Sequence, residues 1–248
     1  MGNENSTFYN LMVFRPPILV KENIEFLEKE ENVRLFKINN ISVIEISPEI
    51  DVNIRKNKLV IYSHGIANDI YTEYFYLKYL CNVLKCKIVS YDYPFFGVSN
   101  GKINEENCYK ALEDVINIYK NNDILLIGHS FGTGIVVNYI SKNKWENAIL
   151  LLAPFKSLYY VFFGKLLTNL INYEFDSYGK IKTCEIICKI KLVHCKGDRI
   201  LSVSHSEDIY DMCIRKNLKV LDPHYIEGGD HSDFRKEIDE VYLEMINL

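Results

Sequence analysis

A serine lies between two glycines near the middle of the chain, in the order Gly128-His129-Ser130-Phe131-Gly132. Residues 124–127 before it are all apolar, which is typical of a strand buried on both faces, and residues 135–142 after it resemble a helix. A serine at a sharp turn between strand and helix exposes its hydroxyl, and small flanking residues let the two elements approach. The pattern therefore predicts a nucleophilic serine at position 130. A glycine-rich turn at a strand end is the alternative.

A serine hydroxyl is a weak nucleophile at neutral pH, so it requires a base and an acid that orients the base. In a strand–turn–helix arrangement of this kind the chain order is serine, acid, histidine, and the partners follow the carboxyl ends of strands. Asp198 follows a predicted strand at 190–195, and His231 follows one at 219–226. We therefore predict a triad of Ser130, Asp198 and His231, with Asp176 and Asp208 as alternative acids.

Two backbone amides would have to bind the oxyanion that forms when the serine attacks a carbonyl. The first is predicted at Phe131, directly after the nucleophile, and the second at Ile66, in the loop after a predicted strand at 58–63. His64, in the same loop, is expected to hydrogen-bond within the loop rather than to act as a base. His194 lies inside a predicted strand and is expected to be packed.

The elements that must position these residues alternate along the chain after an opening hairpin at 33–38 and 41–46, whose turn is Asn39-Asn40. The remaining strands are predicted at 58–63, 87–91, 124–127, 148–153, 190–195 and 219–226, and helices at 71–84, 105–120, 135–142, 204–214 and 234–246. Alternation of this kind predicts an α/β fold, with a mostly parallel central sheet covered by helices on both faces.

Composition excludes several classes of protein. The chain has 248 residues, of which 48% are hydrophobic and 25% charged, as expected for one globular domain with a large core. The net charge of −4 gives no reason to expect a nucleic-acid partner. Seven scattered cysteines without a Cys-x-x-Cys pair indicate reduced thiols and a cytoplasmic location. Cys184, Cys188 and His194 are close in sequence, but no second cluster completes a metal site, so we expect neither a metal nor a cofactor.

The pattern of alternating elements breaks at about 155–187, which predicts a small helical cap over the site. Residues 158–173 are apolar on most sides, so they fit either an acyl-binding groove or a helix that faces the core. The candidate groove residues are Tyr159, Phe162, Phe163, Leu166 and Leu170.

The first residues, Met1-Gly2-Asn3-Glu4-Asn5-Ser6, match the pattern for N-myristoylation of Gly2. One myristoyl chain gives marginal and reversible membrane binding, and no basic patch follows it here. We therefore divide the chain into an N-terminal segment at 1–20, a candidate for peripheral membrane contact, and a catalytic domain at 21–248.

Several motifs between positions 14 and 234 together resemble the α/β-hydrolase-domain (ABHD) serine hydrolases, in particular the membrane-associated branch that removes palmitoyl groups from protein cysteines. The matching pieces are Phe14-x-Pro16-Pro17, Ser63-His64-Gly65-x-Ala67, Ser90-Tyr91-Asp92-Tyr93 with Gly97 and Ser99, Gly128-x-Ser130-x-Gly132-Thr133, Phe175-Asp176, His194-x-x-x-Asp198-x-Ile200 with Ser204-His205, and Gly228-x-x-His231-x-Asp233. The resemblance implies the α/β-hydrolase fold and the same three triad residues. It also implies an acylated protein or lipid as substrate.

The chain departs from that branch in two places. No cysteine precedes Cys81, whereas the branch carries a palmitoylated cysteine-rich N-terminus, and Ile66 stands where the family usually has asparagine. The expected function is hydrolysis of acyl esters or thioesters, as in a depalmitoylase. The alternatives are a monoacylglycerol lipase or lysophospholipase, a serine aminopeptidase of the same fold, and a non-catalytic binding protein. An aminopeptidase would need a cap carboxylate for the substrate's amino group, for which Glu174, Asp176 and Glu185 are the candidates.

Overall fold

One sheet runs through the part of the chain that the computed structural model describes, which is residues 14, 16–18, 20–49, 54–163 and 175–248. Its strands lie in the order β1-β2-β4-β3-β5-β6-β7-β8. They are β1 Val33–Ile38, β2 Ile41–Ile46, β3 Lys58–Ser63, β4 Lys87–Tyr91, β5 Asp123–His129, β6 Ile149–Leu152, β7 Ile190–Cys195 and β8 His224–Ile226. The helices are α1 Lys21–Leu27, α2 Ile70–Leu84, α3 Glu105–Tyr119, α4 Phe131–Lys142, α5 Leu158–Phe163, α6 Ser177–Thr183, α7 Ser204–Arg215 and α8 Asp239–Ile246, with a 3-10 helix at Asp233–Lys236.

The sheet is antiparallel only at its first edge. Strands β1 and β2 form the predicted hairpin, with Val33 opposite Ile46 and Ile38 opposite Ile41, and β2 pairs antiparallel with β4. The pairs from β4 through β3, β5, β6 and β7 to β8 are all parallel. This arrangement confirms the predicted α/β class, and it brings the carboxyl ends of β3, β5, β7 and β8 to one edge of the sheet.

Strands β3 to β7 are buried along nearly their whole length because helices cover both faces of the sheet. In β3, Leu59 and Ile61 pack with α3 and α4 on one face. Val60 and Tyr62 pack with α2 and α8 on the other. The central sheet is therefore a rigid support for the loops at its carboxyl edge.

The loop after β3 is fixed where it enters α2. Asp69 caps this helix: its Oδ1 accepts hydrogen bonds from the amides of Tyr71 at 3.1 Å and Thr72 at 2.7 Å. The amide of Ile70 donates to Oδ1 of Asp92 at 2.8 Å, in the loop after β4. Capping of this kind sets the angle at which the chain enters a helix, and here it ties together two loops at the edge that carries the predicted site.

The structure corrects three predicted elements. Strand β8 begins at His224 rather than at 219, because Pro223 before it has no amide to donate to a ladder; residue Val220 makes only an isolated bridge with Ile190. The predicted helix at 234–246 is divided into the 3-10 helix and α8, whose first turn carries the acidic pair Asp239-Glu240 that favours a helix start.

Helix α4 begins at Phe131, four residues before the predicted start, because Gly132 and Gly134 lie inside it rather than before it. Helices α1 and α6 were not predicted; both are seven residues long. The predicted cap at about 155–187 contains α5 and α6, and residues 164–174 lie outside the described part of the chain. No helix among the described residues is long and apolar enough to cross a bilayer.

Candidate active site

Ser130 lies at the turn between β5 and α4 with φ 49° and ψ −115°, a backbone conformation that is rare for a residue with a side chain. Its amide donates to the carbonyl of Leu152 at 2.8 Å, and its carbonyl accepts from the amide and the hydroxyl of Thr133 at 2.9 and 2.6 Å. The surrounding hydrogen bonds therefore hold the strained residue in place. Its side chain is mostly covered, with a residue exposure of 9%.

The glycines on either side of Ser130 are required by close backbone contacts. A Cβ on Gly132 would lie 2.0 Å from the carbonyl oxygen of Ser63, and a Cβ on Gly128 would lie 2.7 Å from the carbonyl oxygen of Gly132. Only glycine allows α4 to approach β3 and β5 this closely. These contacts fit the strand–turn–helix arrangement predicted from the sequence.

Asp198 and His231 are in contact. Nδ1 of His231 lies 2.6 Å from Oδ2 of Asp198, and the other carboxylate oxygen accepts the amides of Ile200 and Leu201, each at 2.8 Å. Their loops follow β7 and β8, which are parallel neighbours, and the amide of Gly197 joins the loops by donating to the carbonyl of Gly228 at 3.1 Å. Because Nδ1 donates to the carboxylate, Nε2 is left as the acceptor of a neutral imidazole.

A second histidine, His194, contacts the same carboxylate. Its Nε2 lies 3.1 Å from Oδ2 of Asp198 and 2.9 Å from the carbonyl oxygen of Leu201, and its Nδ1 lies 2.7 Å from the hydroxyl of Ser206. Because a carbonyl can only accept, Nε2 carries the proton and Ser206 donates to Nδ1. The prediction that His194 is packed is confirmed, since it is fully buried. Its contact with the acid was missed, although its position four residues before Asp198, at a strand end, is a usable signal.

The environment keeps Asp198 ionised. Burial raises its pKa, but hydrogen bonds from His194, His231 and the amide of Leu201 outweigh burial and hold the pKa well below its ordinary value of 3.8. An ionised carboxylate can orient the imidazole and stabilise its protonated form.

The nucleophile and the base lie near each other without a direct bond. The His231 ring is 5.3 Å, centroid to centroid, from the ring of His129, the residue before Ser130. Among the described residues no hydrogen bond joins Ser130 Oγ to His231. Such bonds are often long before substrate binds and shorten in the complex. The structure thus brings the predicted acid and base together and places the base beside the strand end that carries the serine.

The two predicted oxyanion amides are available. Within the described residues, neither the amide of Ile66 nor that of Phe131 donates a hydrogen bond. Phe131 is the first residue of α4, where amides point away from the helix and carry a partial positive charge. The loop of Ile66 is held by His64, whose Nδ1 donates to the carbonyl of Gly65 at 2.8 Å, as predicted.

The alternative acids have other partners. Asp176 caps α6 by accepting the amide of Gly179 at 2.8 Å. Asp208 forms an ion pair with Lys156. Within the part of the chain that the structure describes, neither carboxylate forms a hydrogen bond with a histidine, so Asp198 is the acid that the geometry favours.

Among the predicted acyl-groove residues, the structure describes the side chain of Tyr159. Tyr159 is buried, at 3% exposure, in α5. Phe162 and Phe163 belong to α5, but their side chains lie outside the described part of the chain, as do Leu166, Leu170 and the predicted lipidation site Gly2. The groove and the lipidation of Gly2 therefore stay predictions.

The known proteins to which the chain is similar are alpha/beta hydrolases. A family model for the alpha/beta hydrolase fold matches residues 58–154. The chain is 31% identical over 215 residues to the alpha/beta hydrolase L404 of Acanthamoeba polyphaga mimivirus, covering 84% of this chain and 78% of that protein. It is 30% identical over 195 residues to the human alpha/beta hydrolase domain-containing protein 17C, covering 75% of this chain and 56% of that relative. The match thus spans little more than half of that longer protein.

A solved structure supports the fold. The Pyrococcus furiosus esterase Pf2001 superposes with a TM-score of 0.67 at 16% identity, covering 94% of this chain and 100% of that one. At such low identity the likeness concerns the fold alone. Together with the sequence relatives, it confirms the α/β-hydrolase fold and the resemblance to ABHD proteins that the motifs predicted.

Proposed function

Since the chain belongs to the α/β hydrolase family, we propose that it is a serine hydrolase that cleaves acyl esters or thioesters with Ser130, His231 and Asp198. The 2.6 Å contact between His231 Nδ1 and Asp198 Oδ2 carries the proposal. It joins two residues from separate loops, and it leaves Nε2 of the imidazole free to accept a proton. The imidazole ring lies 5.3 Å from the ring of His129, the residue before the strained serine.

The proposed reaction has two halves. Nε2 of His231 removes the hydroxyl proton of Ser130 while Oγ attacks the acyl carbon. The amides of Ile66 and Phe131 bind the oxyanion, and Asp198 stabilises the protonated imidazole. The tetrahedral species then expels the alcohol or thiol, which takes the proton from His231, and an acyl-serine remains. Water, deprotonated by His231, attacks the acyl-serine and releases the carboxylic acid and the regenerated serine.

The proposed substrate is a long-chain acyl thioester on a protein cysteine. Support comes from the motifs shared with the depalmitoylating branch and from the likeness to protein 17C over 75% of this chain. We also propose that myristoylation of Gly2 brings the enzyme to the membrane surface where such substrates lie. Gly2→Ala should abolish incorporation of a labelled myristate in cells and shift the protein from the membrane pellet to the supernatant.

The central experiment labels the protein with a fluorophosphonate and measures turnover of acyl esters and thioesters of graded chain length. Ser130→Ala should abolish the label and lower hydrolysis by about 10⁶-fold. Ser141→Ala, in α4 eleven residues further along the chain, is the matched control and should keep both the label and the turnover. Unchanged turnover in Ser130→Ala would falsify the proposal. A preference for monoacylglycerol or lysophospholipid over thioesters would assign a lipid substrate, and turnover of peptides alone would assign an aminopeptidase.

A further inference from the structure

A buried ion pair lies behind the base and takes no direct part in the proposed chemistry. Arg235 stands four residues after His231, in the 3-10 helix, and its Nη2 donates to both carboxylate oxygens of Glu73 at 2.8 and 2.9 Å. The Glu73 side chain is fully buried on α2, and that of Arg235 is 22% exposed. The two residues are 162 positions apart, so the ion pair attaches the 3-10 helix after His231 to α2, the helix that follows the loop of Ile66.

The same guanidinium reaches two strands of the site. Nη2 of Arg235 also lies 3.4 Å from the hydroxyl of Tyr62, on β3, and 3.4 Å from Nδ1 of His129, on β5. Its central carbon lies 4.2 Å from the centre of the Tyr76 ring. The Arg235 side chain therefore contacts β3, β5 and α2. Arg235 itself belongs to the segment that carries His231.

A packed path leads from the ion pair to the base. Burial and the charge of Arg235 hold the pKa of His129 well below 6.5, so its ring is neutral and tolerates the guanidinium nitrogen 3.4 Å from its Nδ1. The His129 ring packs 5.3 Å from the ring of His231 and 5.2 Å from that of Phe234. Displacement of the guanidinium would thus move groups that touch the imidazole.

Burying two opposite charges adds little stability compared with apolar side chains of the same volume, because both must leave water. The geometry is, however, specific: one guanidinium nitrogen contacts both oxygens of a single buried carboxylate, which fixes where that nitrogen lies. We propose that Arg235 is a positioning residue, and that its ion pair with Glu73 holds the His231 segment in register with the strands carrying Ser130 and Ile66. This inference deepens the proposed function and rests on it.

The test compares Arg235→Met, Arg235→Lys and Glu73→Gln with the wild type in ester hydrolysis. The matched control is Lys191→Met, which removes a different ion pair, Lys191–Glu244 at 3.3 Å, between β7 and α8. A small misplacement of the base lowers the rate of the chemical step, so Arg235→Met should reduce kcat about 10- to 100-fold with KM little changed. Arg235→Lys should recover part of kcat, and Lys191→Met should keep kcat.

Folding is monitored by circular dichroism for each variant. Should Arg235→Met fail to fold, the double variant Glu73→Met/Arg235→Met, which leaves no unpaired buried charge, takes its place. A folded variant of either kind with wild-type kcat would overturn the proposal. So would a loss of kcat in Lys191→Met as large as that in Arg235→Met, because the effect would then follow stability rather than position.

A readout without catalysis separates this inference from the proposed function. The Nδ1 proton that His231 shares with Asp198 should give a downfield proton resonance, which disappears on Asp198→Ala. We expect it to broaden or shift in Arg235→Met and to persist in Lys191→Met. If Ser130→Ala keeps full activity, the proposed function fails, but the resonance can still show whether Arg235 positions His231. An unchanged resonance in Arg235→Met would contradict the positioning role of Arg235.

Discussion

Nδ1 of His231 lies 2.6 Å from Oδ2 of Asp198, although 33 residues separate the two in the chain. The contact exists because β7 and β8 are parallel neighbours whose following loops leave the sheet at the same edge. The geometry of this acid–base pair therefore depends on how the neighbouring strands β7 and β8 end. The contribution of each residue to catalysis can be measured by substituting one residue at a time.

Asp198→Asn should lower kcat by about 10⁴-fold while the protein stays folded, because an amide in place of the carboxylate favours the wrong imidazole tautomer. Asp208→Asn, which changes an acid that pairs with Lys156, is the control and should keep kcat. Steady-state hydrolysis of a p-nitrophenyl ester gives both values. Equal effects of the two substitutions would remove Asp198 from the triad.

His194→Phe should raise the pKa of Asp198 towards its ordinary value, because the substitution removes one of the hydrogen bonds that hold this carboxylate ionised. We expect kcat to fall about 10- to 100-fold, since the carboxylate also loses its orientation. His194→Gln, whose amide nitrogen can replace Nε2, should restore part of the loss. A pH–rate profile is the measurement, and identical profiles for wild type and His194→Phe would contradict the expectation.

Ile66→Pro should lower kcat by about 10²- to 10³-fold, because proline has no amide to donate to the oxyanion. Ile66→Ala keeps the amide and should keep most of the activity. If the alanine and proline variants are equally active, the oxyanion is bound elsewhere.

His205 gives a pH dependence of stability. Burial, and then the charge of Lys156, lower its pKa from 6.5 to about 4. Between these values the unfolded state binds more protons than the folded state, so this contribution is complete above pH 6.5 and is lost as the pH falls towards 4.

His205→Gln removes that titration and should lose less stability than the wild type between pH 6.5 and 4. Lys156→Met should lose stability with falling pH at a rate between those of the wild type and His205→Gln. The substitution removes the charge of Lys156 but leaves His205 buried. Urea denaturation at several pH values within the window measures the slopes. Parallel slopes for wild type and His205→Gln would show that His205 does not titrate differently on folding.

The sequence was sufficient to predict those strands whose bounds depend on neighbouring residues alone. Strands β1, β2, β3, β4 and β7 begin and end at the predicted residues, because apolar residues predominate in each short stretch and polar residues flank it. The positions of Asp198 and His231 after neighbouring strands followed from a topological rule for parallel sheets. Their proximity could therefore be predicted from the sequence.

Other features depend on residues that are distant in sequence. The pair Arg235–Glu73 joins two charges 162 positions apart, and nothing in either local sequence indicates burial. The contact of His194 with Asp198 was missed because it forms only where the loop after β7 brings the carboxylate back to the strand, although the four-residue spacing was a usable signal. Pro223 shortened β8, although the apolar residues around it suggested a longer strand. In each case the outcome depended on tertiary contacts that the periodicity of the sequence does not indicate.

The brevity of β8 bears on how the protein responds to heat. Only three residues of this outermost strand pair with β7, and His231 follows five positions later. Short peripheral strands fray at lower temperature than the centre of a sheet. We expect warming to separate the imidazole from its carboxylate while the inner strands persist, so that inactivation is reversible and precedes the melting of the domain.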